Sequence, residues 1–355
     1  MIKDDSIILP EWLAYHYTVL PLGRLIVGVD PMSHTDPTPI LDAYRTIGMN
    51  ITTWKNDSFW RDGRASWSKK EYTITNNSTS YGDLRNRKRH RQHVFYEACL
   101  RQLCEENRTW TMIIDADEYL AFNYYDDSEQ KSSENNTRSQ LDQQSSPVTM
   151  ADVVSHWDID PKLPCVTFAR YLFVSTETED GDGEELPHQS LVHPDFNVSL
   201  FHTLRYHQRA PLTSPQVGKS IVDASRYDGS PIDNPHHFRT LCTGFGGHAF
   251  PDNKFMPFRV HHYVGSWEAF RSPGFDPRGR SYFDKRNNVQ KTVEDSTMTV
   301  WLDKFTTLVG REKVIEMTQT LRLHAELEME RKILEQQQQQ LFDWEKLNTK
   351  TKEWI

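Results

Sequence analysis

The sequence predicts an α/β protein with a mixed, mostly parallel sheet and helices on both faces. Three observations carry that expectation. Short apolar runs recur at Arg24–Val29, Ile51–Trp54 and Thr109–Ile114. Segments with helical spacing lie between the first two runs and before the third. The first run ends in Asp30-Pro31, and the third runs straight into Asp115-Ala116-Asp117-Glu118. Strand, loop, helix, strand is the opening rhythm of a parallel sheet, because parallel neighbours need a crossover connection.

The elements follow in order. Apolar groups at helical spacing across residues 7–22, with Pro10 suited to a first turn, predict a helix. The β-branched run Arg24–Val29 predicts a buried strand, Ser33–Pro37 a loop, Pro39–Ile47 a helix and Ile51–Trp54 a second strand. Residues 56–87 are polar and predict an extended loop. His90–Cys104 predicts a helix with Val94, Phe95, Ala98, Cys99 and Leu103 along one stripe. Val166–Val174 and Met256–Val264 predict later strands. Residues 126–147 hold almost no apolar side chains and predict a disordered insertion, and the acidic run Glu177–Glu185 a second mobile loop. From Arg311 the chain predicts a long polar helix carrying Gln336–Gln340. The expected division is a domain over 1–310 and a helical extension over 311–355, the extension offering a helical surface to a partner.

Bulk properties narrow the function. The chain has 355 residues, 37% hydrophobic and 26% charged, enough for a sizeable core. A formal net charge of −9 argues against general nucleic-acid binding, which needs a basic surface. The basic run Arg85–Arg91 is local, either an anion site or a solvated helix face. Four cysteines (Cys99, Cys104, Cys165, Cys242) form no Cys-x-x-Cys pair, so zinc-ribbon and thioredoxin-type chemistry are not expected. Buried free thiols are the reading preferred over a structural pair. No run of apolar residues has membrane-spanning length, and Met1–Asp5 is not a signal peptide.

The chemistry concentrates at Asp115-Ala116-Asp117-Glu118. In extended backbone, residues two apart share a face, so Asp115 and Asp117 present their carboxylates together. They sit just past a strand's C-terminal end, where α/β sheets bind ligands. Two carboxylates there supply half of an oxygen-rich site for Mn²⁺ or Mg²⁺, completed by phosphate oxygens. Aspartyl phosphatases share the spacing but follow the second aspartate with Thr or Val, where this chain has Glu118.

Four segments in order together resemble glycosyltransferase family 92 and related family-2-like glycosyltransferases. These are Pro10–His16, the helix from Gln92 to Cys99, the Asp115–Glu118 turn, and His261-His262-Tyr263 followed by Ser266–Phe270. The match spans about residues 5–305. Tyr119 stands where the family often has Phe, and the chain begins inside or just after the family's first strand. The resemblance implies a GT-A fold, a nucleotide-sugar donor (UDP-galactose in parts of the family), a carbohydrate acceptor and inversion at the anomeric carbon. It implies Asp30, Ser33, Asp36, Gln92 and Asp115 on the donor side, and Mn²⁺ (or Mg²⁺) held by Asp115, Asp117 and His262. Lys88 and Arg91 are candidate cations facing the diphosphate, with a solvated helix face as the alternative.

Strand alternation pulls the other way on the histidines. It groups His262 with apolar Phe258, Val260 and Val264, leaving His261 as the polar contact; family position selects His262. Lys219 in Gly218-Lys219-Ser220 lacks the preceding glycine of a P-loop, so triphosphate hydrolysis is not expected. The resembling families carry a similar stretch leading a strand near the active site. Thr243–His248 is glycine-rich, either a sugar-facing loop or a plain one. The general base stays unassigned among Glu179, Asp180, Asp252 and Asp276. A nucleotidyltransferase on a similar sheet, and a non-catalytic glycan- or partner-binding domain, are the alternative functions. Seven Asn-x-Ser/Thr sequons, against roughly two by chance, point to the secretory pathway and the Golgi, with a cytoplasmic location as the alternative.

Overall fold

The structure, a computed structural model, describes residues 1–20, 22–56, 58–60, 81–122, 164–175, 196–211, 218–230, 232, 242, 258–267, 279–289, 291–299 and 301–352. The insertion 126–147, the acidic run 177–185, the glycine-rich segment 243–248 and all four candidate bases lie outside these residues.

The chain opens on α1 (Leu9–Val19), β1 (Leu25–Gly28), α2 (Thr38–Thr46) and β2 (Ile51–Trp54). The last three lie within one residue of their expected bounds, and α1 is shorter than expected by two residues at its start and three at its end. Helix α3 (Tyr81–Glu105) starts earlier than expected. Residues 81–87, expected as loop, are its first turns. Next come β3 (Trp110–Met112), β4 (Glu118–Phe122), β5 (Cys165–Phe168), β6 (Arg170–Phe173) and the short α4 (His202–Arg205). They are followed by β7 (Gln208–Arg209), β8 (Lys219–Asp223), β9 (Phe258–Tyr263), α5 (Gly279–Asn287), β10 (Val293–Glu294) and α6 (Trp301–Val309). After α7 (Arg311–Val314), a π-helical stretch at Ile315–Thr320 leads into α8 (Leu321–Lys352). Among the described residues no helix is long and apolar enough to cross a membrane.

The fold is mixed α/β with several sheets rather than one mostly parallel sheet. β1 and β2 pair in parallel. A five-stranded sheet runs β10-β7-β6-β9-β4 and a three-stranded sheet β3-β8-β5. In these two sheets only β6 and β9 are parallel among the described pairs. Apolar runs reveal that strands exist but not their direction, which connections set. The expected strand over 166–174 breaks at Ala169: β5 joins the three-stranded sheet and β6 the five-stranded one.

Helix α1 is stitched to β4. Trp12 Nε1 donates to Glu118 O at 2.9 Å and Tyr15 Oη to Leu120 O at 2.8 Å. The Leu120 N–H donates to His16 Nε2 at 3.3 Å, and His16 Nδ1 lies 2.8 Å from Trp12 O, so the ring is neutral with its proton on Nδ1. Gly28 is required where α3 crosses β1: a Cβ there would meet the Phe95 ring at 2.7 Å. Described residues on both sides of 310 pack together. Val314, Met317 and Ala325 belong to the buried cluster that holds Leu13, Tyr44 and Trp301, and Met329 is buried as well. Along α8, Leu323, Leu327, Leu334 and Leu341 are exposed on the side away from this cluster.

Cysteine pairing is a second correction. Cys165 and Cys242 form a disulfide with a Cα–Cα distance of 5.4 Å, while Cys99 and Cys104 are free. Residue spacing gave no reason to join two cysteines 77 residues apart.

Buried histidines set an acid limit on stability. Burial holds His16 down to about 4 and His202 down to about 3, so both stay neutral in the fold. In the unfolded chain each takes up a proton below its ordinary 6.5. The unfolded state therefore binds more protons as pH falls from about 6.5 towards 4, and the fold loses about 1.4 kcal/mol per pH unit for each histidine. Glu11 opposes part of this, because burial raises its carboxyl against the donors at His202 and Thr203. Denaturant titrations are expected to show a flat midpoint above pH 7 and a steep decline below 6. A His16→Phe, His202→Phe double variant is expected to show a shallower decline.

Candidate functional site

The candidate site forms where the turn after β3 meets β9 and β8. The Asp115 carbonyl accepts the Glu118 N–H at 3.1 Å, and Glu118 Oε2 accepts the Asp115 N–H at 3.1 Å. This reciprocal pair locks the turn and leaves Asp115 and Asp117 half-buried at its rim, their side chains 35% and 30% exposed. The Asp117 carbonyl is fixed by the Tyr263 N–H at 3.0 Å, and Glu118 lies opposite His262 across the β4–β9 ladder.

That register brings His262 to Asp117. His262 Nε2 lies 3.0 Å from Asp117 Oδ2, and Arg286 Nη2 on α5 lies 3.1 Å from the same ring nitrogen. Burial pushes the Asp117 carboxyl up, but the His262 ring and the Arg286 guanidinium win and hold it below the usual carboxylate range. His261 points elsewhere. Its Nε2 accepts from Arg259 Nε at 2.7 Å, and its ring stacks on Phe173 at 4.4 Å. Burial, reinforced by Arg259, keeps it neutral. Every residue of β9 is buried, so alternation does not separate a polar row from an apolar one here.

Beneath the turn lies a charge cluster that sequence reading did not assemble. Lys219 Nζ lies 2.8 Å from Asp115 Oδ2 and 2.7 Å from Glu118 Oε2, and Arg170 Nη1 lies 3.0 Å from Glu118 Oε1. Lys219 and Glu118 are both inaccessible to solvent. Burial alone would push the Lys219 ammonium down, but its two carboxylates outweigh it and raise it. The Gly-Lys-Ser triplet was the signal for Lys219. It marks the strand start that places an ammonium under the carboxylates, not a phosphate loop.

The donor-side candidates are divided. Asp30 is buried, pairing with Arg91 Nη1 at 3.2 Å and accepting the Met32 N–H at 2.8 Å. Arg91 is equally buried and so is neither a solvated face nor an open diphosphate contact. Ser33 is engaged with Asp4, which organises the loop by accepting from the His34 and Thr35 backbones. Asp36 accepts from the Thr38 backbone and hydroxyl and pairs with Lys55 at 3.0 Å. Gln92 sits one turn before Tyr96 on the same face of α3. Burial first, then the Asp115 and Glu118 charges, raises the Tyr96 phenol well above its usual range, which puts that face beside the carboxylate turn. The side chain of Lys88 lies outside the described residues.

For a divalent ion, the donor chemistry of Asp117 and His262, a carboxylate beside an imidazole, suits Mn²⁺. Among the described residues no group of three His, Cys, Asp or Glu is arranged to hold a metal, and Asp115 is engaged by Lys219. Two side chains therefore fit, and further oxygens would have to come from a bound phosphate and water. His262→Ala is expected to weaken Mn²⁺ binding with a small change in melting midpoint. His261→Ala is expected to leave metal affinity alone and to destabilise by about 3 kcal/mol, the range for deleting a buried ring. Calorimetry and thermal melts of the two variants check both. Comparison with known proteins leaves this geometry to be read by itself: no family model, no characterised protein and no solved structure matches the chain.

Proposed function

We propose that the chain is a glycosyltransferase that moves a sugar from a nucleotide-sugar donor, UDP-galactose among the candidates, to a carbohydrate acceptor with inversion at the anomeric carbon. One observation carries the reading: a half-exposed aspartate pair on a locked turn stands beside a histidine and an arginine, above a buried ammonium. Charge chemistry explains the fit. Sugar transfer leaves negative charge on a nucleotide diphosphate, and catalysis needs positive charge fixed where it accumulates.

In this reading Asp117 and His262 hold Mn²⁺ (or Mg²⁺), which when bound neutralises the diphosphate as a Lewis acid. Arg286 stands within reach of the same oxygens and presents a fixed cation. Lys219 holds Asp115 in place through a charge-assisted hydrogen bond. Gln92 approaches the donor from α3. The Cys165–Cys242 disulfide joins the seven sequons in favour of an oxidising, secretory-pathway location such as the Golgi.

The test is a panel of nucleotide sugars incubated with purified protein, Mn²⁺ and mixed glycan acceptors, with released nucleotide measured. One donor is expected to give turnover that chelation removes. Absence of nucleotide binding to every donor, with and without metal, overturns the reading.

A further inference from the structure

Helix α8 carries two apolar stripes. Ala325 and Met329 are buried and lie on the face turned to the body of the protein. At about 3.6 residues per turn, Leu323, Leu327, Leu334 and Leu341 fall within about 40° of one another on the opposite face. All four are exposed. After Met329 no described residue of the helix is buried, so its second part is not packed into the body. Most of the large apolar side chains exposed among the described residues lie on this one helix. Core packing explains the first stripe. It does not explain the second, and contiguous exposed apolar surface marks a contact with another molecule.

Spacing identifies the kind of contact. Leu323, Leu327, Glu330, Leu334, Gln337, Leu341 and Trp344 follow one another at alternating steps of four and three residues. That is the a/d rhythm of a coiled coil, with Leu327, Leu334 and Leu341 at a and the other four at d. Every one of them is exposed. From Leu323 to Leu341 the seam is about 27 Å long. Charges beside it are paired within the helix, Arg322 with Glu326 at 2.9 Å and Arg331 with Glu335 at 3.0 Å. The helix holds as many basic as acidic residues, whereas the whole chain carries −9. A membrane-surface helix needs a basic polar face, which this one lacks. A neutral helix lets two copies of an acidic protein meet without opposing charge.

The geometry points to a homodimer in which α8 packs against α8 of a second copy as an antiparallel two-stranded coiled coil. A twofold axis brings one stripe against itself, so a single exposed seam is enough. Glu330 sets the direction. Parallel helices place d against d, which faces Glu330 with its own copy inside the seam and brings two acidic bodies to the same end. Antiparallel helices place a against d. Leu323 then meets Leu341 of the second copy, Leu327 meets Gln337, and Glu330 meets Leu334, so no like charges face each other. The acidic excess of the helix before Gln336 also lies over the basic excess after Gln340. Polar residues in a seam fix its register at a cost in stability, so the dimer is a dissociating one. The inference stands on α8 alone and is independent of sugar transfer.

Sedimentation velocity of the full chain from about 1 to 100 µM, the range of weak association, is expected to show a dimer that dissociates on dilution. Leu327→Lys, Leu334→Lys is expected to weaken dimerisation at least about 100-fold. Its melting midpoint, taken where the wild type is monomeric, is expected to stay unchanged, because both side chains are exposed in the single chain. Gln339→Lys adds the same charge off the seam and is expected to dimerise like the wild type. Direction is read from disulfides in a Cys104→Ser background. Leu323→Cys and Leu341→Cys chains, oxidised separately, are expected to stay uncrosslinked, and their mixture to crosslink. A wild type that is monomeric throughout overturns the proposal, as does a dimer that the double leucine variant leaves intact. Crosslinking of each cysteine variant with itself overturns the antiparallel arrangement.

Discussion

Asp117→Ala is expected to abolish Mn²⁺-dependent nucleotide binding while moving the melting midpoint by only a few degrees. The carboxylate stands at the rim of a turn, and the bonds that hold the turn belong to its neighbours: Asp115 with Glu118, and the Asp117 carbonyl with Tyr263. None of these uses the Asp117 side chain. Its carboxylate contact is His262, which retains Arg286 nearby after the change. Loss of a partner outside the metal's own ligands costs about 10–100-fold in metal affinity, and loss of a ligand costs more. Calorimetry with UDP and Mn²⁺ measures the affinity, and a thermal melt the fold. Unchanged affinity removes Asp117 from the site, and an unfolded variant makes it structural.

How much of this was legible in the sequence differs element by element. The opening α1-β1-α2-β2 series was readable because each piece combines a clear period with a terminator: Pro10, Asp30-Pro31 and Pro39 mark ends that apolar spacing alone leaves vague. The Asp115–Glu118 turn was readable for the same reason, an apolar run ending in carboxylates. Strand direction was not. Antiparallel pairing of β4 with β9 depends on how the polar segments between them return the chain, and no periodicity encodes that. The role of Glu118 was equally hidden. In sequence it is a third acidic residue after a strand, yet in the fold it is fully buried between Lys219 and Arg170, which lie 101 and 52 residues away. The donor-side positions Asp30, Ser33 and Asp36 show the converse. Their polar character was visible, but Arg91, Asp4, Thr38 and Lys55 already engage them. A polar loop residue becomes a ligand contact only if the fold leaves its polar atoms unspent.

Lys219→Met is expected to destabilise the protein by about 3–5 kcal/mol, the cost of leaving a buried charge without its partner. Glu118 is the charge left behind. It has no access to water; Arg170 remains on Oε1, with the His262 ring 4.0 Å from the same oxygen, while Oε2 loses the ammonium at 2.7 Å. The Asp115 N–H still donates to Oε2, so the turn survives as a weaker lock. The double variant Lys219→Met, Glu118→Gln is expected to recover part of the loss, because the uncompensated charge is then gone. Arg170 and the Asp115 amide keep the recovery incomplete. Chemical denaturation of wild type, both single variants and the double gives the coupling free energy. A strongly favourable coupling is expected, since the two residues are in direct contact. Additive effects would show that Lys219 acts on the fold by filling space rather than by charge. The same variants also separate stability from binding. Loss of Lys219 frees Asp115 from its 2.8 Å contact, so metal affinity changes even at temperatures where the variant is fully folded. Glu118→Gln keeps that contact and is expected to alter affinity less than Lys219→Met does.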